Sequence, residues 1–204
     1  MGCDIHGWIE IKPYPKTSPE HWESVVDIGH IVGRNYDMFG LLFGVRNYPN
    51  YQSIAEMRGI PSYDKNQKDK DGESDYRPYA LRELEKWNGD AHGHSYISLS
   101  EIENIDWEKE SEDIDERIHL YIIEDGKERE MMKASSFGEL SKEELNELCK
   151  KKVLVKGDRV FKFEKTKYKD AISGDWNVLF DIMRRLGKQQ ENNDNVRMVV
   201  WFDN

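Results

Sequence analysis

Residues 3 to 11, CDIHGWIEI, alternate in polarity, with Ile5, Ile9 and Ile11 at odd positions and Asp4, His6 and Glu10 at even ones. Side chains i and i+2 of a strand share a face, so this stretch reads as a half-buried strand with one polar face. Pro13 and Pro15 end it, and Trp22 to Ile28 is its expected hairpin partner across the loop YPKTSPEH. The closing run VRMVVWFDN, 196–204, is strongly β-prone. Strands near both ends with helices between them imply an α+β (mixed α/β) fold.

The intervening signals are local. Asn35 is a candidate N-cap for a helix in which Tyr36, Phe39, Leu42 and Phe43 recur at helical spacing. Gly40 and Gly44 each lower helix propensity by about 1 kcal/mol relative to Ala. They point to close approach by another backbone or a ligand, tight packing being the simpler reading. A short helix is expected from Pro78 to Trp87, and another after the capping box of Ser98 and Glu101. Ile118 to Ile123 reads as a strand, Ser141 with Glu144 caps a helix to about Lys151, and Val153 to Phe163 reads as a hairpin around Lys156-Gly157-Asp158. From Asp175, Trp176, Leu179, Ile182, Met183 and Leu186 form one apolar face, with Gly187 expected to stop the helix. Ser62 to Arg77 has almost no apolar content and is expected to be a mobile loop, and the acidic residues 106 to 116 are expected to be exposed. The organisation expected is one domain over 1–204, with a loop at 62–77 and an insertion at about 106–170.

Hydrophobic residues make up 37% and charged residues 34%, a polar balance in which six Trp and ten Tyr must supply much of the core. The net charge of −10 argues against non-specific DNA binding and anionic membranes, which need clustered Lys and Arg. A small anionic ligand held by a few arginines is compatible with it. Two cysteines give no disulfide framework, and no leader or apolar run of membrane length is visible, so a cytoplasmic location is expected.

MGCDIH, RNYDMFGLLFGVR, RGIP at 58–61, the HGHS tetrad and VRMVVWFDN together resemble a family of small proteins of phages and prophages. The resemblance touches both ends and the middle, and leaves 106–170 without motifs. It implies a phage setting, hence the host cytoplasm, and one integrated domain. It carries over no activity.

The chemistry must come from side chains. Asp4-x-His6 on a strand is a common opening for a metal site, since carboxylate and imidazole both bind Zn²⁺, Mn²⁺ or Fe²⁺. Asp90, His92 and His94 place three further ligands within GDAHGHSY, where glycines let the backbone bend around an ion. Calcineurin-like phosphoesterases are similar in opening with Asp-x-His and later supplying Gly-Asp and Gly-His elements. Their Asn-His element is missing here, so the likeness is one of chemistry and not of membership.

Convergence of both clusters would make Asp4, His6, Asp90, His92 and His94 a divalent-metal centre, with Asp4, His6, Asp90 and His94 catalytic. Arg34, Arg58 and Tyr36 would bind substrate, Arg being the preferred fork for phosphate. Each has a plainer reading as a hydrogen-bonded structural residue or a surface ion pair. Asp203 and Asn204 end an apolar strand, where a binding pair would be well placed. The expected function is a metal-dependent hydrolase of a phosphate ester, a nucleotide or nucleotide-derived signal. The alternative is a non-catalytic phage inhibitor or sponge in an anti-defence role, binding a host nucleotide signal or a host protein. An acidic DNA mimic is weaker, because the 30 basic residues are spread along the chain.

Overall fold

The computed structural model describes residues 2–17, 20–63, 77–87 and 89–204. In chain order the elements are β1 (Asp4–Ile11), β2 (Glu23–Asp27), α1 (Tyr36–Phe43), α2 (Tyr79–Lys86), β3 (His92–Ser98) and α3 (Leu99–Glu103). There follow β4 (Ile118–Glu124), β5 (Lys127–Ala134), α4 (Lys142–Lys151), β6 (Val153–Lys156), β7 (Arg159–Lys162), α5 (Gly174–Gln190) and β8 (Val196–Asp203). They form two four-stranded antiparallel sheets, ordered β2-β1-β8-β3 and β5-β4-β7-β6. The fold is α+β. Among the described residues no helix is long and apolar enough to cross a membrane. The loop expected at 62–77 falls almost wholly outside the described residues.

β8 lies between β1 and β3, and every residue from Val196 to Phe202 is buried. Its inner face (Val196, Met198, Val200 and Phe202) packs with Ile5, Ile9 and Ile11 of β1 and with α1 and α5. α1 forms because the Asn35 side chain accepts from the Met38 N–H at its start and Gly44 turns left-handed, φ 73°, at its end. Gly40 serves tight packing: a Cβ there would lie 2.7 Å from the Asn47 Cα. Gly187 does not stop α5, which runs on to Gln190. It is a contact point, where a Cβ would lie 2.5 Å from Leu99 Cδ2.

The outer face of the same sheet carries Val199 and Trp201, covered by Ala80 and Leu84 of α2, with Trp8, Trp87 and Tyr96 at the margins. At its far end Glu10 and Arg197 form a buried pair 2.9 Å apart, with Tyr63 and Ser24 also donating to Glu10 and Trp22 stacked 3.8 Å from the guanidinium. Burial pushes the Glu10 carboxyl up despite those hydrogen bonds.

The second sheet is drawn wholly from residues 118–162 and has its own small core of Ile118, Leu120, Leu140, Leu148 and Phe161. β5, KEREMMKA, has no apolar alternation and exists by pairing with β4 from Ile118↔Ala134 to Glu124↔Lys127. A charged network joins this sheet to α1: Arg117 donates to Asp37 and Asp115, Lys133 donates to Asp37, and His119 Nε2 lies 3.1 Å from Asp115. The expected exposure of 106–116 holds at Asp106, Glu108, Glu110, Glu112, Asp113 and Glu116 and fails at Ser111 and Asp115, which are buried. Burial opposes the charge of Asp115, but contact with His119 and hydrogen bonds from Arg117 outweigh it and hold the carboxyl well below the usual range.

Candidate functional site

The pairing of β1 with β8 sets the geometry of the candidate site. Asp4 stands opposite Asp203 and His6 opposite Trp201, so the polar face of β1 meets the end of the apolar strand. His6 Nε2 lies 3.4 Å from Asp203 Oδ1. The contact is an ion-pair distance without hydrogen-bond alignment, and Nε2 is buried with no bonding partner. The ring packs against Trp87, centroids 4.4 Å apart, and more loosely against Trp201 at 6.4 Å.

His6, Trp87 and Trp201 line a cleft of about 360 Å³ together with Asp27, His30, Glu83 and Lys86, and Asp203 stands outside its lining. Trp201 is almost wholly buried, and its indole N–H also has no partner. Two residues that line one cleft thus each carry a buried nitrogen without a hydrogen-bond partner among the described residues, and the indole can only donate.

Asp4 is occupied: Arg34 holds it with a two-pronged hydrogen bond of 2.6 and 2.8 Å. That fork lowers the Asp4 carboxyl. Tyr36 accepts the Cys3 N–H on its hydroxyl, fixing the start of β1. Arg58 is far from this rim in its bonding, tied to Glu101 and to the Tyr96 and Ile54 carbonyls.

The histidine cluster does not bend around a point, contrary to the expected glycine-rich turn. His92 begins β3 and pairs with Phe202 on the inner side, rings 6.2 Å apart. The register then shifts between His92 and Ser95, with Gly93 left-handed at φ 61°, a β-bulge that re-aims the side chains beyond it. His94 consequently lines a second cleft with Leu81, Leu84 and Ala91, on the α2 side. Burial, helped by His92, pushes its imidazole down, favouring the neutral ring. Asp90 is exposed beyond the strand, its N–H donating to the Trp87 carbonyl.

The two clusters thus reach the same sheet, but β8 stands between them. Adjacent strands are ~4.8 Å apart, which puts β1 and β3 roughly 10 Å from each other. Among the described residues no three His, Cys, Asp or Glu side chains are arranged to hold a metal ion. Sequence reasoning missed Trp87, Trp201 and Lys86. The spacing Trp201-x-Asp203, which puts both on one face of β8, could have found Trp201, and no local signal marks Trp87 or Lys86. The chain matches no protein-family model, no curated protein and no solved structure.

Proposed function

We propose that the cleft beside His6 takes a small phosphate ester with a planar ring, the nucleotide class. We further propose that His6, steered by Asp203, carries the proton in its hydrolysis. The observation supporting this is that His6 and Trp201, which line one cleft, each carry a buried nitrogen (Nε2 and Nε1) with no hydrogen-bond partner among the described residues. A phosphoryl oxygen accepts what the indole donates, Lys86 offers charge, and Trp87 offers a stacking face. An imidazole beside a carboxylate is the ordinary arrangement for general acid–base catalysis. No step in this chemistry runs through a metal, and the divalent ion expected from the sequence is an arm of the test.

A second reading, a binding protein without turnover, is favoured by one observation. Arg34 and Arg58 are both engaged by carboxylates, so the cationic clamp of a phosphoryl-transfer site is not free.

The test is release of phosphate or p-nitrophenol from p-nitrophenyl phosphate and a nucleotide panel, with and without Mn²⁺, Zn²⁺ or Fe²⁺, beside calorimetric titration of the same compounds. Turnover lost in His6→Ala and reduced in Asp203→Asn supports hydrolysis. Binding without turnover, weakened by Trp201→Phe, supports the second reading. Neither binding nor turnover in the whole panel overturns both.

A further inference from the structure

α2 and α1 have eight residues each, yet they are secured differently. α1 has a side-chain N-cap, a left-handed C-cap and six buried residues. α2 starts at Pro78 with no side-chain cap, ends at Trp87 in right-handed backbone, and buries only Ala80 and Leu84. A helix this short is marginal by itself, so α2 stands on its contacts. Among the described residues those include the packing of Ala80 and Leu84 on Val199 and Trp201, the Tyr79 ring against Trp8 at 5.5 Å, the Ala80 N–H bond to Ser24 Oγ at 3.0 Å, and the Trp8 indole bond to Glu83 at 3.0 Å.

The closed state is also poorly satisfied. Within the helix and along the cleft it borders, Arg82 Nε, Trp201 Nε1 and His6 Nε2 are buried without partners. A buried polar nitrogen left unbonded is destabilising, and water relieves that cost once it can enter. Local openings draw on segments of this kind, with few buried contacts and an imperfect seal.

We propose that α2 is a displaceable cover over the outer face of the first sheet, and that its opening hydrates the buried Trp201 indole and admits the ligand. The admitting role rests on the function proposed for the cleft, while the opening does not.

Hydrogen exchange followed by mass spectrometry tests the opening without any ligand. Amides of 79–87 are expected to exchange about a hundredfold faster than those of α1. Protection equal to that of α1 overturns the cover. Leu84→Ala should speed exchange in α2 further and leave β8 unchanged, and equal acceleration in β8 would mean global unfolding and overturn a local opening.

A lock tests admission: Ser24→Cys with Ala80→Cys, in a Cys149→Ser background because Cys149 is exposed. Oxidation should slow exchange in α2 and weaken binding of inorganic phosphate about tenfold, with reductant reversing both. Slowed exchange with unchanged phosphate binding overturns the admitting role and supports the opening. Absence of phosphate binding in both states overturns the cleft reading, and the exchange result alone then decides the cover.

Discussion

The two sheets have the same number of strands and the same antiparallel pairing, but they handle polarity in opposite ways. The first is covered on both faces, by α1 and α5 within and α2 without, and its central strand β8 is apolar almost to the end. Among the described residues its buried polar groups are the Glu10–Arg197 pair and Ser95, whose hydroxyl donates to the Ala55 carbonyl. The second sheet has a small core on one side, and β5 exposes six of its eight residues. Its charges answer one another: Glu124 with Arg129, Glu128 with Lys162, Glu139 with Arg159. Charge density therefore does not locate a site in this molecule. Buried nitrogens without hydrogen-bond partners among the described residues are scattered, at Arg82, His92 and Trp176 among others, and His6 and Trp201 are the two such residues that share a cleft of the first sheet.

The sharpest break of that comparison is Phe202→Ala, which empties the position packed by Phe39, Phe43 and His92. A loss of about 3–5 kcal/mol is expected, with fluorescence and circular dichroism transitions moving together under denaturant. Next come two fully buried leucines, one per core. Leu179→Ala and Leu148→Ala should each cost about 2–5 kcal/mol, with the greater loss at Leu179 because its larger cluster collapses less easily. Equal losses would mean the second core is as rigid as the first.

Gly40→Ala should cost about 1–3 kcal/mol through overpacking against Asn47. Wild-type stability would show that the α1 turn yields.

Acid separates the two buried arginine–carboxylate pairs. Asp115 is depressed in the folded protein, so its contribution is present above the unfolded value of about 3.9 and is lost as pH falls below it. Glu10 is raised, so its protonation favours folding at low pH and its contribution is lost as pH rises through the raised value. Amide exchange measured down a pH series should therefore loosen around β4 before β1, and the reverse order would contradict the assignment. The smallest effect expected is from Arg34→Ala. Its pair with Asp4 is exposed, and the denaturation midpoint should stay within error.

Much of this architecture was legible locally. Period-two alternation over residues 3–11, the capping boxes at Ser98 and Ser141 and the cap at Asn35 each state their structure within a few residues. β5 was not legible, because KEREMMKA becomes a strand only through β4. The site was half legible. Period two puts Asp4 and His6 on one face, but their facing residues, Asp203 and Trp201, depend on a register between distant strands. The path of the histidine cluster was not legible, because a bulge and a turn use the same glycines.

The pairing of β1 with β8 also governs when the molecule can form. The second sheet is built from two hairpins of sequence neighbours, β4 with β5 and β6 with β7, joined by β4 with β7 over a span of about forty residues, and such pairing is fast beside one that spans the whole chain. β1 and β2 can meet early as a hairpin, but both β1 and β3 must wait for β8. Closing so long a loop costs entropy that grows only with the logarithm of its length, so the delay is one of search and synthesis more than of stability. Until β8 arrives, β1 and β3 each present an unpaired edge, and a nascent chain halted before Val196 would expose both to other chains.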